Sequence, residues 1–299
     1  MPKSKEKELI KVGFCVAYDW YMLEYAIPLI YDEADQICLS VDDEKISWSG
    51  HPYKFDEKGF SDMVQRLDKN KKISIHRGNF HLDNLSPMEN EVRQRNEIST
   101  FMGEGGWHVQ LDCDEYFLHF KSFVAYLRSL PLNDSRKFNV CCAWIILYKQ
   151  VENGFLYVDP VRKDNIEFMQ IATRYPQYDY SRRNGYFNIY TNFRILHQSW
   201  ARDEQEIHDK LKNWGHSTDL NTEEYFNMWK ELSIDNFKTA HHLHPLFPEQ
   251  WPSLKFVPGN TLDEVARNFD QDNFPVYHTL DLYFKNSLWM SRLRAVLKR

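Results

Sequence analysis

The chain has no set of paired cysteines. Its five cysteines are an odd number, it holds no C-x-x-C pair, and Cys15, Cys38, Cys141 and Cys142 lie inside apolar runs. A free thiol in such a run behaves as a small hydrophobe. This points away from a zinc knuckle and towards a reduced, cytoplasmic chain. Long hydrophobic runs are also missing: no stretch approaches the ~20 apolar residues of a membrane span. Residues 1–11 are charged and carry no apolar core, so no secretory signal is expected. Basic excess is missing as well. Lys and Arg number 37 against 43 Asp and Glu, for a net charge of −6, which argues against nucleic acid as a partner. Glycine motifs are missing too: there is no G-x-x-x-x-G-K-[ST], no G-x-G-x-x-G and no G-x-S-x-G. That sets aside a P-loop enzyme, a dinucleotide oxidoreductase and an esterase elbow. A D-x-D-x-T phosphatase pattern fails because Tyr116 stands where Thr is needed. The chain shows no internal repeat, low-complexity tract or linker.

What is present is ordinary globular composition, 42% hydrophobic and 27% charged, with a high aromatic share of 15%. Aromatic side chains suit both cores and sites that stack bases or sugars. The first half alternates strand and helix signals. Val12–Tyr18 is an apolar run of the kind a strand buried on both faces requires. Asp19 can cap a helix carrying Trp20, Leu23, Ile27 and Ile30, which Pro28 should kink or end. Strands are expected at Gln36–Val41, 73–76 and Trp107–Leu111, with a loop over 47–59 and a short helix over 60–67. Ser86, Pro87 and Glu89 form a capping-box start for a helix running to Met102. This βαβα order predicts a doubly wound, mostly parallel α/β sheet flanked by helices.

The second half has a mixed character. Phe138–Tyr148 reads as a central strand, and Asn153-Gly154 as a hairpin turn. Residues 159–192 read as loops and short strands, and 193–196 as a strand leading to His197. Asp203 and Glu206 have capping-box spacing before a stripe of Ile207, Leu211 and Trp214, ended by Gly215. A further helix is expected over 222–232.

In an open parallel sheet, ligands bind outside the carboxyl ends of the strands. The predicted strand ends deliver Tyr18-Asp19, Asp42-Asp43, His76-Arg77 and Asp112-Cys113-Asp114-Glu115 to one edge. Two Asp at i, i+2 beyond a buried strand suit a hard divalent cation bridging the phosphates of a nucleotide. An acidic turn or a cap is the structural alternative. Arg95 and Asn96 fall on or beside the apolar side set by Met88, Val92, Ile98 and Met102. Arg95 suits a phosphate through its two-pronged fork or, alternatively, an ion pair with a strand-end carboxylate. His197 follows an apolar strand and can complete a metal shell with the two Asp. His241, His242 and His244 form a rival cluster before Pro245.

These residues resemble a bacterial family 2-type glycosyltransferase of GT-A fold. The match is carried by Val12–Tyr18, Asp42-Asp43, the Arg95-Asn96 helix and Val109-Gln110-Leu111-Asp112-Cys113-Asp114-Glu115-Tyr116-Phe117, with His197–Arg202 and 210–216 adding to it. The resemblance implies a nucleotide-diphosphate sugar as donor, UDP-sugar favoured, with Mn²⁺ or Mg²⁺, and a carbohydrate or lipid-linked acceptor as in polysaccharide synthesis. It implies that Ala17 and Tyr18 line the nucleotide pocket and that Asp42 or Asp43 meets the base. Arg95 approaches the diphosphate, Asn96 beside it is a donor-binding residue, Asp112 meets the ribose or the metal, Asp114 ligates the metal, and His197 is a candidate further ligand. It implies residues 1–120 as the nucleotide-sugar half and 121–299 as the acceptor half of one continuous domain. It points to inversion rather than retention, with Asp203 or Glu204 in the region of the general base. Tyr175, Tyr178, Tyr180, Tyr186 and Trp200 are candidates to stack on an acceptor sugar.

Two other activities fit a sheet with an acidic edge. A nucleotidyltransferase wants a glycine-rich basic loop after the first strand, where Asp19-Trp20-Tyr21 stands instead. A binding protein that has lost turnover is the third reading. At the C-terminus, Trp289, Leu293, Val296 and Leu297 share a helical face beside Lys285, Arg292, Arg294, Lys298 and Arg299. That face suits either an anionic membrane surface or a core-docked helix with a basic end.

Overall fold

The computed structural model describes residues 8–131, 136–161, 165–213, 221–270 and 276–287. Trp214, Gly215 and the expected C-terminal helix from residue 288 onward lie outside them. The chain forms two compact units. One comprises Met1–Cys141 with Gln170–Ile189, and the other Cys142–Met169 with Tyr190–Arg299.

The first unit is built on a parallel sheet. Its strands are β1 (Ile10–Val16), β2 (Gln36–Asp42), β3 (Ile73–Gly78) and β4 (Trp107–Asp112). β1 pairs in parallel with β2 on one side and β4 on the other, and β2 pairs with β3. The resulting order is 3-2-1-4, as expected of a doubly wound half. Every residue of β1 is buried, so both its faces are covered and a continuous apolar run is what it needs. β1 begins and ends two residues earlier than its apolar run suggested, which leaves Ala17 and Tyr18 just beyond the sheet. β8 (Phe168–Thr173) meets β4 antiparallel through Thr173↔His108 and Ala172↔Val109. A short strand, β5 (Glu115–Phe117), follows β4.

The helices of this unit are α1 (Leu23–Tyr31), α2 (Glu57–Leu67), α3 (Pro87–Met102) and α4 (Phe120–Ser129). Pro28 does not end α1. The helix runs on to Tyr31 and buries Ala26, Ile27, Ile30 and Tyr31, which outweighs one missing amide bond. Asp19 stands at the start of the preceding short 3₁₀ turn, but its side chain makes no capping bond. α2 starts three residues earlier than expected because Asp56 caps it, accepting from Gly59 N at 3.0 Å. The capping box of α3 forms as its sequence predicts, Ser86 Oγ accepting from Glu89 N and Glu89 accepting from Ser86 N. At its other end, Lys11 Nζ donates to Gly103 O and Glu104 O, both at 2.8 Å.

The second unit holds an antiparallel set. The latter part of β6 (Phe138–Val151) pairs with β7 (Gly154–Asp159), and β7 with β10 (Ser253–Pro258). The hairpin between β6 and β7 forms, with Val151 opposite Gly154 and Asn153 in the left-handed region at φ 59°. The turn is therefore Glu152-Asn153, one residue earlier than expected. β9 (Phe187–His197) is much longer than the strand expected over 193–196. The unit's helices are α5 (Glu204–Asn213), α6 (Thr222–Glu231), α7 (Leu262–Asp270) and α8 (Thr279–Lys285). Its core joins Tyr148, Trp200, Ile207, Leu211, Tyr225, Trp229 and Trp251. Among the described residues, no helix is long and apolar enough to cross a membrane.

Candidate active site

The order 3-2-1-4 makes the boundary between β1 and β4 a topological switch point. The chain leaves β1 towards β2 on one side and returns to β4 on the other. The crevice beyond the carboxyl ends of two such strands is where open α/β sheets bind ligands. Cys15 lies opposite Asp112 in the register, so Tyr18-Asp19 and Asp112-Cys113-Asp114-Glu115 share that crevice.

A chain of alternating charge is built there. Arg95 Nε donates to Glu91 at 2.9 Å, and Nη2 to Asp112 Oδ1 at 2.8 Å. Arg182 Nη2 donates to Asp112 Oδ2 at 2.7 Å and to Glu115 Oε1 at 2.8 Å. Both arginine side chains are 1% exposed, and that of Glu115 is 0% exposed. Charges this deep persist only when paired. Burial works against the charge on each arginine, but Asp112 together with Glu91 or Glu115 outweighs it and raises both pKa values. Burial likewise pushes the Asp112 carboxyl up, while Arg182 and Arg95 hold it at about 2. The three carboxylates exceed the two guanidiniums by one negative charge.

α3 positions this chain through a polar buried face. Asn90, Gln94, Arg95 and Ser99 are buried with Ile98 and Met102, whereas Met88 and Val92 are only half-buried. The apolar side expected from Met88 and Val92 is thus displaced, because polar side chains on this helix find partners inside. Gln94 donates to Ser40 O at 3.0 Å and accepts from Trp48 Nε1 at 2.7 Å. Gln110 of β4 donates to Arg95 O at 3.1 Å. Arg182 is delivered by a tight turn at Tyr180–Arg183, with Ser181 left-handed at φ 50° and its Oγ donating to Glu91 at 2.8 Å.

The expected site residues take distinct places. Ala17 and Tyr18 are half-buried beyond β1, and the Tyr18 ring meets Tyr53 edge-on at 6.2 Å. Asp42 is buried, and its carboxylate accepts from Glu44 N, Ile46 N and Phe80 N. Asp43 beside it is exposed. The Asn96 side chain is engaged twice, donating to Tyr178 O at 3.0 Å and accepting from Tyr178 N at 2.9 Å. Asp114 is 4% exposed. His197 belongs to the second unit, its ring centroid 4.4 Å from that of Trp144. Asp203 forms the capping box of α5, accepting from Glu206 N at 2.8 Å, and Glu204 pairs with Lys230 at 2.6 Å. In the rival histidine cluster, His244 Nδ1 accepts from Leu246 N and Phe247 N, a loop-fastening role.

Among the described residues, no group of three His, Cys, Asp or Glu side chains is gathered around a metal position. A cation carried in with a nucleotide needs only one or two protein carboxylates beside the phosphates. The acidic end of β4 carries carboxylate oxygens, hard donors, at Asp112 and Asp114, and both oxygens of Asp112 are engaged by arginine.

Of the aromatic acceptor candidates, Trp200 lies in the core of the second unit and Tyr178 is buried. Tyr175 and Tyr186 line a cleft of about 510 Å³ at the C-terminal end of α3 with Thr100, Glu104 and Lys137. Its lining includes Gly103 and Gly105, which lead into the amino end of β4, and Ser99, whose Oγ donates to Arg95 O.

Arg182 had no signal in the sequence. It stands in a stretch without periodicity, and its partners lie 67 and 70 residues away. The Glu91–Arg95 pair was readable as an i, i+4 spacing.

No known family model matches the chain, and no curated protein matches it. Solved structures match weakly. Residues 1–349 of TarS from S. aureus are 11% identical, with a TM-score of 0.28, over 49% of this chain and 37% of that one. This chain therefore spans little more than a third of that structure's length. The mannosyltransferase PcManGT from Pyrobaculum calidifontis, in complex with GDP-Man and Mn²⁺, is 10% identical over 75% of this chain and 72% of that one, with a TM-score of 0.36. A mannose-1-phosphate geranyltransferase from Thermus thermophilus is 10% identical over 89% and 80%, with a TM-score of 0.28. Likeness this loose carries no weight on function, which rests on the chain's own residues.

Proposed function

We propose that this chain is a glycosyltransferase. It would move a sugar from a nucleotide-diphosphate sugar, UDP-sugar foremost, to a carbohydrate or lipid-linked acceptor with the help of Mn²⁺ or Mg²⁺. One observation carries the reading: the D-x-D segment stands at the switch point of a 3-2-1-4 parallel sheet, beside an arginine of α3. Residues 1–120 form the donor half in this reading, joined by Arg182 from the returning segment, and 121–299 otherwise form the acceptor half.

Each residue's role follows from its surroundings. Tyr18, with Tyr53 at its edge, offers a ring for the base, and Ala17 keeps the floor beside it low. Asp43 is the exposed carboxylate at the end of β2 and the better placed of that pair to meet the base, since Asp42 already holds three amides. Asp114 would hold the cation. When bound, the cation would neutralise the charge that develops on the leaving diphosphate. Arg95 and Arg182 fix Asp112, so its carboxylate is preorganised as an acceptor for a ribose hydroxyl. Arg95 would act on the diphosphate through its field and through Asp112, and Asn96 holds the segment that carries Arg182. Asp203 and Glu204 are the carboxylates nominated to take the acceptor's proton with inversion.

The test is a thermal melt with a panel of nucleoside diphosphates, with Mn²⁺ and then with excess chelator. A ligand at 100 times its Kd stabilises by about 2.7 kcal/mol. A shift with one diphosphate that chelator abolishes is the expected result. Asp114→Asn should lose that metal-dependent shift, and turnover should fall by about 100-fold or more. Full activity in Asp114→Asn, or no shift with any diphosphate, would overturn the assignment.

A further inference from the structure

The cleft that Tyr175, Tyr186 and Lys137 line extends to the amino end of β4, where Gly103 and Gly105 lead into the strand. Asp112 ends the same strand. At about 3.3 Å per residue, the two ends of β4 stand on the order of 17 Å apart. All of the cleft's lining residues belong to the first unit.

The cleft is held open from behind by buried polar groups. Tyr175 N donates to Thr173 Oγ1 at 3.2 Å, and that hydroxyl donates to Phe138 O at 2.9 Å. Tyr186 N donates to Asn184 Oδ1 at 3.2 Å. The amides of Asn139 and Asn184 bond each other twice, at 2.8 and 3.0 Å, and Asn139 also donates to Asn188 at 3.0 Å. Asn139, Thr173 and Asn184 are buried. Breaking such a bond strands a desolvated polar group, so the network resists rearrangement. The two rings therefore stand in place before a ligand arrives, and little ordering remains to be done on binding.

The chemistry of the lining selects the ligand. The tyrosine rings form a corner, with centroids 6.4 Å apart and planes at 86°. Lys137 Nζ sits in that corner, 5.6 Å from the Tyr175 centroid and 5.3 Å from that of Tyr186. Among the described residues, no carboxylate pairs with Lys137, and the Tyr175 hydroxyl, the Tyr186 hydroxyl and the Gln177 amide make no hydrogen bond. Arg174, the other cation of the lining, pairs with Glu8 at 2.8 Å. The lysine fills the corner against a cationic guest and offers its charge to an anionic one. A volume of about 510 Å³ is that of a site for a whole small molecule, far more than a bare ion fills. Glu104 on the same wall repels an anion but accepts from hydroxyls. A sugar ring satisfies both walls: its C–H face packs on a tyrosine and its hydroxyls donate to Glu104.

We propose that this cleft is a binding site, additional to the crevice at Asp112, for a sugar that carries a phosphate or carboxylate group. Lys137 holds the anion, and Tyr175 and Tyr186 hold the ring. The site does not rest on the transferase reading: a chain that shows no melt shift with any nucleoside diphosphate is still expected to bind here.

The test is titration calorimetry of the full chain with glucose 1-phosphate, glucuronate, glucose and inorganic phosphate, one at a time. At least one of the two charged sugars is expected to bind about tenfold or more tighter than glucose and than inorganic phosphate. The tighter of the two identifies the anion. Lys137→Gln should melt close to the parent, because Lys137 is exposed, and should remove the preference over glucose. Tyr186→Ala should weaken binding of the charged sugar by about fivefold or more. Asp114→Asn should leave that binding unchanged. A parent chain that binds neither charged sugar, or binds them no better than inorganic phosphate, would overturn the proposal. So would a Lys137→Gln chain that keeps the preference. Loss of binding in Asp114→Asn would put the sugar in the crevice and overturn it as well.

Discussion

Arg182 and Glu115 are both fully enclosed, and each is the other's partner. Replacing Arg182 with Met leaves Glu115 buried without this counter-charge, a change that costs about 3–5 kcal/mol in comparable sites. Urea unfolding should show that loss in Arg182→Met, and adding Glu115→Gln should recover much of it. A double variant no more stable than the single one would mean that Glu115 is held by something else. Asp112 makes the pH dependence. Its folded pKa of about 2 lies below the ordinary 3.8, so its contribution to stability is complete above 3.8 and is lost as pH falls from 3.8 towards 2. Asp112→Asn should flatten the stability profile across that window. An unaltered acid slope would show that other carboxylates dominate acid unfolding.

At the scale of elements, α3 decides the geometry. It lies so close to β1 that a Cβ on Gly13 would stand 2.4 Å from Ile98 Cγ2. Gly13→Ala should therefore destabilise by about 1–3 kcal/mol through overpacking. A urea midpoint equal to that of the parent would show that the helix can back away freely. The same helix shows what the sequence made legible. Its start was readable because Ser86, Pro87 and Glu89 cap it locally, and its four companion strands because β1 and β2 are short, mostly apolar runs and β3 and β4 alternate apolar with polar residues. Its buried face was not readable. Asn90, Gln94 and Ser99 look like surface residues until Trp48, Ser40 and Gln110 supply their partners. The acidic end of β4 was visible as D-x-D after a strand, but its pairing with Arg182 is tertiary and leaves no local pattern. Strand β9 was underestimated for a related reason, since Asn188, Thr191 and Asn192 interrupt its apolar period.

At the scale of the molecule, the chain crosses between its two units three times, after Cys141, Met169 and Ile189. Neither unit is a continuous segment. A fragment ending at Cys141 lacks Gln170–Ile189, and with it Arg182 and the Tyr178 backbone that Asn96 binds. Such a fragment should show no cooperative urea transition, and a sharp one would mean that the returning segment is dispensable for folding. The same feature sets a timetable during synthesis. Arg182 follows Glu115 by 67 residues, an interval of roughly 3–13 seconds at ordinary ribosomal speeds of about 5–20 residues per second. For those seconds each nascent chain carries the acidic end of its sheet with the balancing cation not yet made. The first unit is closed only by a segment translated after part of the second has already been synthesised.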